Sequence, residues 1–308
     1  MDIVMLGHSS AGKTTYMAAL YYRMENGVYD YKMRYDVWTN YWYKHYTQNN
    51  MYYTIDEAIK EGEELKSTSI GVSKGKYPSP TEIKQEYVFK MQYKYFNEIG
   101  FNWFDYRGGA LMERSSKSSE SASLMSKIKS SDALVVFLDG TKLEESLLKN
   151  EREFRRLVYL IKSAISSISV ENDCFFPISF VITKDDLCSN VLNSEGFEYF
   201  WDNVLNDIAQ SDKVAALITW VTVNGEHIYN VHWPLFFSIS HCMHKFADEV
   251  VNSYQKRENN RGFFGTIKEM WTGEDKNATI QAINELQESA QTLGQILSGE
   301  NKNSLYLI

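Results

Sequence analysis

Gly7-His8-Ser9-Ser10-Ala11-Gly12-Lys13-Thr14 carries the spacing GxxxxGK[ST]. Residues of these types at this spacing cradle a phosphate chain. A bend opened by Gly7 and Gly12 turns the backbone N–H groups from Ser10 and Ala11 through Thr15 inward. The Lys13 ammonium reaches the outer phosphates, and the Thr14 hydroxyl can ligate Mg2+. Two further groups suit the same chemistry. Phe104-Asp105-Tyr106-Arg107-Gly108 ends an apolar run with DxxG, where Asp105 can hold Mg2+ through water and the Gly108 amide can bond a terminal phosphate. Ile182-Thr183-Lys184-Asp185-Asp186 matches [NT]KxD. Asp186 can accept the two hydrogens of guanine N1 and its exocyclic amine, a donor pair that adenine lacks. Lys184 can lie over the base plane, and the Thr183 hydroxyl can tie the base loop to the phosphate loop. Taken singly, the patterns also describe a chance match, a strand-end turn and a solvated acidic turn. Their order along one chain gives them weight.

These groups need strands and helices to position them. Ile3 to Leu6 is a short apolar run that enters the glycine loop, and Thr15 to Glu25 reads as the helix that leaves it, the strand–loop–helix context such a loop requires. Asp36 to Lys66, with Trp38, Tyr41, Trp42, Tyr43, Tyr46, Tyr52 and Tyr53, reads as a helical insertion. Few Lys or Arg lie between its aromatics, so packing on the core or on a partner is expected rather than base stacking along a nucleic-acid strand. Ser67 to Pro80 has no apolar period and reads as a mobile loop in the position of a nucleotide-sensing switch. Ile83 to Tyr95 alternates as a strand with one wet face, Asn97 to Gly100 turns, and Phe101 to Phe104 returns, so an antiparallel hairpin on the sheet edge is expected, ending at Asp105. Ala133 to Leu138 and Phe176 to Ile182 read as buried strands separated by the helical pattern Glu144 to Ile168. Alternating strands and helices imply a mainly parallel α/β sheet. Leu217 to Val223 and Ile228 to Val231, joined at Asn224-Gly225, read as a hairpin insertion (about 217–232) before a strand Leu235 to Ile239. The tail carries a helical stripe of Ile280, Ile283, Leu286, Ala290, Leu293 and Ile296, compatible with packing on its own domain or on a partner helix.

With 308 residues, 44% hydrophobic and 23% charged, the chain has material for one large decorated domain. The division expected is 1–245 for the core domain and 246–308 for a helical extension. A net charge of −8 argues against a broadly basic nucleic-acid surface. Cys174, Cys188 and Cys242 match neither a disulfide framework nor a zinc site, and none of the histidines, His241 and His244 included, completes a spaced metal motif. No apolar run approaches the ~18–20 residues needed to span a bilayer, and a strand starting at Asp2 leaves no room for a signal peptide, so a cytoplasmic location is expected.

With GHSSAGKT, DYRG and TKDD in this order, residues 1–245 resemble the Ras-like P-loop GTPases of the translation-factor-related class. The segments GHSSAGKTTYMAALY, YPSPT and DYRGG are most similar to bacterial double-GTPase proteins, which are usually encoded beside a second GTPase and often in conflict or defence gene neighbourhoods. The resemblance implies a three-layer α/β P-loop fold with a mostly parallel sheet, one antiparallel edge hairpin and helical insertions. It implies GTP/GDP and Mg2+ as cofactors. Thr81 would be the switch threonine that ligates Mg2+ and senses the terminal phosphate, with Thr68 the weaker match, and Ser240 would stand in the short backbone contact to guanine. A second GTPase or effector, dimerising across the nucleotide, is the implied partner. The chain departs from the pattern after DxxG, where many relatives place a water-orienting Gln and this chain has Gly109. Arg107 is then the nearest internal group able to stabilise transition-state charge. A slow, partner-stimulated GTPase is the leading expectation, and a non-hydrolysing module held together by guanine nucleotide is the rival.

Overall fold

A computed structural model describes residues 1–29, 31–79, 85–92, 99–106, 119–145, 147–168, 175–242 and 305–307. The chain begins with β1 (Asp2–Gly7), α1 (Lys13–Asn26), β2 (Lys32–Tyr35), α2 (Val37–Trp42) and α3 (Ile55–Ser73). It continues through β3 (Gln85–Gln92), β4 (Ile99–Asp105), α4 (Ser119–Lys129), β5 (Ala133–Asp139), α5 (Gly140–Glu144) and α6 (Leu147–Ser166). Then come β6 (Phe176–Thr183), α7 (Glu195–Phe200), α8 (Asn206–Ala209), β7 (Val214–Asn224), β8 (His227–Tyr229) and β9 (Leu305–Leu307).

Among the described residues nine strands form one sheet in the order β2-β3-β4-β1-β5-β6-β7-β8, with β9 also on β7. β4, β1, β5, β6 and β7 run parallel, in registers such as Val4↔Phe104, Met5↔Val135, Val136↔Phe180 and Phe180↔Ile218. Two apolar clusters explain the layers. Ile3, Met5, Val135, Phe137 and Leu217 point to the face covered by α1, α3 and helical residues 233–242. Val4, Leu6, Leu134, Val136 and Phe180 point to the face covered by α4, α6, α7 and α8. Strand residues alternate between faces and both faces are covered, so the central strands are mostly apolar, with Ser179 and Thr219 as buried polar exceptions, and each fully buried Leu or Phe contributes on the order of 2 kcal/mol. The result is the three-layer α/β architecture and strand order of a Ras-like P-loop fold.

Four features depart from expectation. The hairpin β3–β4 forms, but β2 lies outside it, and beyond the end of β2 the fully buried Asn40 of α2 takes over edge pairing. Its amide nitrogen donates to Val88 O (2.7 Å) and its Oδ1 accepts from Val88 N (2.8 Å). Glu86 and Val88, on the side expected to be wet, are buried as a result. Secondly, residues 67–73 are not a loop but the last two turns of α3, which buries Leu65, Ser69 and Val72 at helical spacing. A capping box opens this helix (Thr54 with Glu57), and a Schellman motif closes it: Lys76 N donates to Gly71 O (2.9 Å), Gly75 N donates to Val72 O (3.0 Å), and Gly75 has φ +76°. Thirdly, β7 is a core strand rather than part of an insertion, and residues 235–239 are helical rather than extended. Finally, Leu305–Leu307, expected within a helical extension, forms β9 against Leu217–Thr219. The 245/246 division falls outside the described residues, as does the stripe from Ile280 to Ile296.

The aromatic insertion is pinned to α3 by Glu61. Its carboxylate accepts from Tyr35 Oη (2.7 Å), Tyr53 Oη (2.8 Å) and Lys44 Nζ (2.5 Å). Trp38, Trp42, Tyr46 and Tyr52 remain exposed on the outside of the insertion. Among the described residues no helix is long and apolar enough to cross a membrane.

Candidate functional site

Parallel strands bring their C-terminal ends to one edge, so Gly7, Asp105, Asp139, Thr183 and Asn224 lie along the same rim. β1 sits between β4 and β5, with α1 on one face and α4 on the other. The crevice at the end of β1 is therefore the topological switch point at which open α/β sheets bind ligands.

Backbone geometry shapes the loop that fills this crevice. A Cβ on Gly7 would stand 2.9 Å from Phe137 Cβ and 3.0 Å from Phe137 O, so only glycine lets β1 pass β5 here. Gly12 turns the chain into α1 with φ +82°, a left-handed conformation that costs glycine little. Ser10 also has positive φ (64°), and Ala11 N donates to His8 O (3.2 Å). α1 has no acidic residue in its first turn to offset the positive end of its dipole. Lys13 is 6% exposed, and its Nζ donates to Gly7 O (3.3 Å). Burial pushes its ammonium below the usual lysine range, and the negative charge of Asp105 opposes that shift.

Asp105 is fully buried, and its Oδ2 accepts from Thr14 Oγ1 (3.0 Å). A carboxylate and a hydroxyl so placed form an oxygen donor set that suits Mg2+, which Thr14 would hold directly and Asp105 through water. His8 lies on the other side of the loop, its Nε2 2.5 Å from Glu153 Oε1 of α6.

At the far end of the crevice, Thr183 Oγ1 lies 3.0 Å from Ala11 O and 3.2 Å from Leu138 O and donates between them, so the end of β6 is tied to the phosphate-type loop. Lys184 takes φ +59° and ion-pairs through Nζ with Asp139 Oδ2 (2.5 Å). The other oxygen of Asp139 caps α5 by accepting from Thr141 N (3.1 Å) and Thr141 Oγ1 (2.7 Å). Asp186 is exposed, and burial together with the Asp186 charge pushes the neighbouring Asp185 carboxyl up. Glu144 holds the following turn by accepting from Ser189 N, Ser189 Oγ and Asn190 N, and these bonds keep its carboxyl below the usual range.

One cavity of about 460 Å³ joins the two ends. Ser10, Ala11, Gly12, Lys13, Thr14 and Thr15 line it from one side, Thr183, Lys184 and Asp186 from the other. Gly7 does not line it and acts through its carbonyl on Lys13. Ser240 is misplaced by the sequence reading. It is buried in the helix that replaces the expected strand and is not among the cavity residues, whose wall beyond Asp186 is built by Val221, Val223 and Asn224 of β7. Thr81, Arg107, Gly108 and Gly109 lie outside the described residues. Sequence reasoning missed Asp139, although an Asp ending a buried strand beside this edge was a usable signal. It also missed Tyr77, Pro78 and Ser79, which close the cavity from the α3 side.

No family model matches the chain, and no curated protein is similar to it in sequence. Among solved structures, the small GTPase Arl6 (BBS3) of Trypanosoma brucei with bound nucleotide analogue GppNp is similar at 12% identity and a TM-score of 0.38, over 77% of this chain and 94% of that one.

Proposed function

We propose that the chain is a Mg2+-dependent guanine-nucleotide-binding protein that hydrolyses GTP slowly and is stimulated by a partner. The observation that carries this reading is the single cavity in which the loop Ser9–Thr15 faces Thr183, Lys184 and Asp186 across a span joined by the Thr183–Ala11 hydrogen bond. The phosphate chain lies on the loop amides and Lys13, and guanine lies against Asp186. Bound at Thr14 and Asp105, Mg2+ would neutralise charge on the phosphates. Contacts from Thr81 and Gly108 to the terminal phosphate order two loops that a partner reads, and hydrolysis releases them. Gly109 has no side chain to orient water, so turnover draws on Arg107 or on a group from the partner, for which a second GTPase across the nucleotide is the candidate. The same Gly109 favours the alternative of a non-hydrolysing guanine-nucleotide-bound module. A role in a bacterial defence system rests on the resemblance alone.

The test is binding of labelled GTP, GDP and ATP to the purified chain with Mg2+, repeated for Asp186→Asn, with phosphate release followed in the same samples. Guanine selectivity that disappears in the variant supports the reading, and ATP preference or no binding refutes it. Binding without release, alone and with the partner, favours the non-hydrolysing module.

A further inference from the structure

The segment leaving α3 is clasped to the β7–β8 turn. Tyr77 Oη donates to Val223 O at 3.2 Å, a contact between residues 146 apart in the chain. Two residues earlier, the backbone passes close to Gly225: a Cβ on Gly75 would lie 4.0 Å from Gly225 Cα. One hydrogen bond and one close backbone approach therefore bring the same two walls together, and both walls line the cavity: Tyr77, Pro78 and Ser79 on one side, Val221, Val223 and Asn224 on the other. The aim of Tyr77 is built in. The Schellman motif at Gly71 to Lys76 fixes the direction in which the chain leaves α3, and Pro78 restricts Tyr77 to extended backbone. The contact is exposed enough to break without disturbing the core, since Tyr77 is 52% exposed.

We infer that the Tyr77–Val223 contact is a strap across the mouth of the cavity whose opening sets how fast nucleotide enters and leaves. This rests on the nucleotide reading above. A strap differs from a ligand contact in its kinetics. Loosening a strap lowers one barrier crossed in both directions, so association and dissociation accelerate together and affinity is conserved. Losing a ligand contact accelerates dissociation alone. Opening the strap leaves Lys13, Thr14, Asp105 and Asp186 in place, so Tyr77 acts as a positioning residue rather than a catalytic one.

The experiment uses Tyr77→Phe, which removes one oxygen from a half-exposed ring, with Tyr159→Phe as a control for exposed tyrosines. Amide hydrogen exchange over residues 74–79 and 221–227 is measured without nucleotide, and association and dissociation of fluorescent GDP by stopped flow. One net hydrogen bond corresponds to about a two- to tenfold change. The expected result is faster exchange in both segments, with both rate constants raised about two- to tenfold and the Kd within about twofold of wild type. Unchanged exchange overturns the strap, as do unchanged rates or faster dissociation alone with a matching rise in Kd. A wild-type chain that binds no guanine nucleotide overturns the proposed function and the gating with it, whereas lost protection with unmoved rates overturns only the gating.

Discussion

Replacing Thr183 by Val isolates the tie between the base loop and the phosphate-type loop. Valine keeps the branched shape of a side chain that is 5% exposed and deletes the one hydroxyl that bridges Ala11 O (3.0 Å) and Leu138 O (3.2 Å). A net hydrogen bond of this kind is worth about 1 kcal/mol, and leaving a buried carbonyl short of its donor takes the loss to about 1–3 kcal/mol. Thr183→Ser supplies the control, because it keeps the donor and removes only a methyl, at about 0.8 kcal/mol. Urea unfolding should place the valine variant about 1–2 kcal/mol below wild type. The two ends of the cavity are also no longer held in register, so GDP affinity should fall about five- to tenfold in Thr183→Val and much less in Thr183→Ser. A valine variant within about 0.3 kcal/mol of wild type, with an unchanged Kd, would refute the idea that this hydroxyl joins the two loops.

Three other perturbations follow from the geometry. Asp105→Asn removes the buried charge beside Thr14 while keeping an acceptor, so Mg2+ should no longer tighten GTP binding, as read by comparing Kd in Mg2+ and in chelator. Glu61→Ala strips Tyr35, Tyr53 and the mostly buried Lys44 of their shared acceptor. Because Glu61 keeps 24% side-chain exposure, the cost should be about 2–3 kcal/mol rather than the full penalty of a buried pair, with Glu61→Gln in between and near-UV circular dichroism reporting the loosened tyrosines. His232, packed against Trp233 and Phe236, is pushed down to about 4 by burial and then by the Arg23 charge. Its folded value lies below its unfolded value, so its contribution is complete above about pH 6.5 and is lost as pH falls toward 4, by up to roughly 3 kcal/mol. Unfolding free energies at pH 7, 5.5 and 4.5 should show a shallower decline for His232→Phe.

The strands that carry the site were legible because each is a short apolar run ending in a residue with chemistry: Leu6 into Gly7, Phe104 into Asp105, Ile182 into Thr183. Reading failed where tertiary contacts overrode local composition. Ser69 and Val72 looked like loop residues because only packing, chiefly against α1 and α2, reveals a helical face made of Leu65, Ser69 and Val72, although Gly75 already stood where a Schellman motif ends a helix. The apolar run at 235–239 suits either a buried strand or a buried helix, and periodicity cannot separate them. That ambiguity displaced the base-end wall from Val221, Val223 and Asn224 to Ser240. The β2 edge was invisible because Lys32, Met33, Arg34 and Tyr35 gain strand character only from pairing with Phe89–Gln92.

β9 gives the molecule a late step in its assembly. β8 covers Thr222–Asn224 on the outer edge of β7, but Leu217–Thr219 beside it waits for Leu305–Leu307, the last described residues in the chain. Until that stretch leaves the ribosome, β7 presents the outer-edge amides and carbonyls of Leu217–Thr219 to any neighbouring nascent chain. Truncation before Leu305 should therefore show first as self-association through the sheet edge, and added β9 peptide should suppress it.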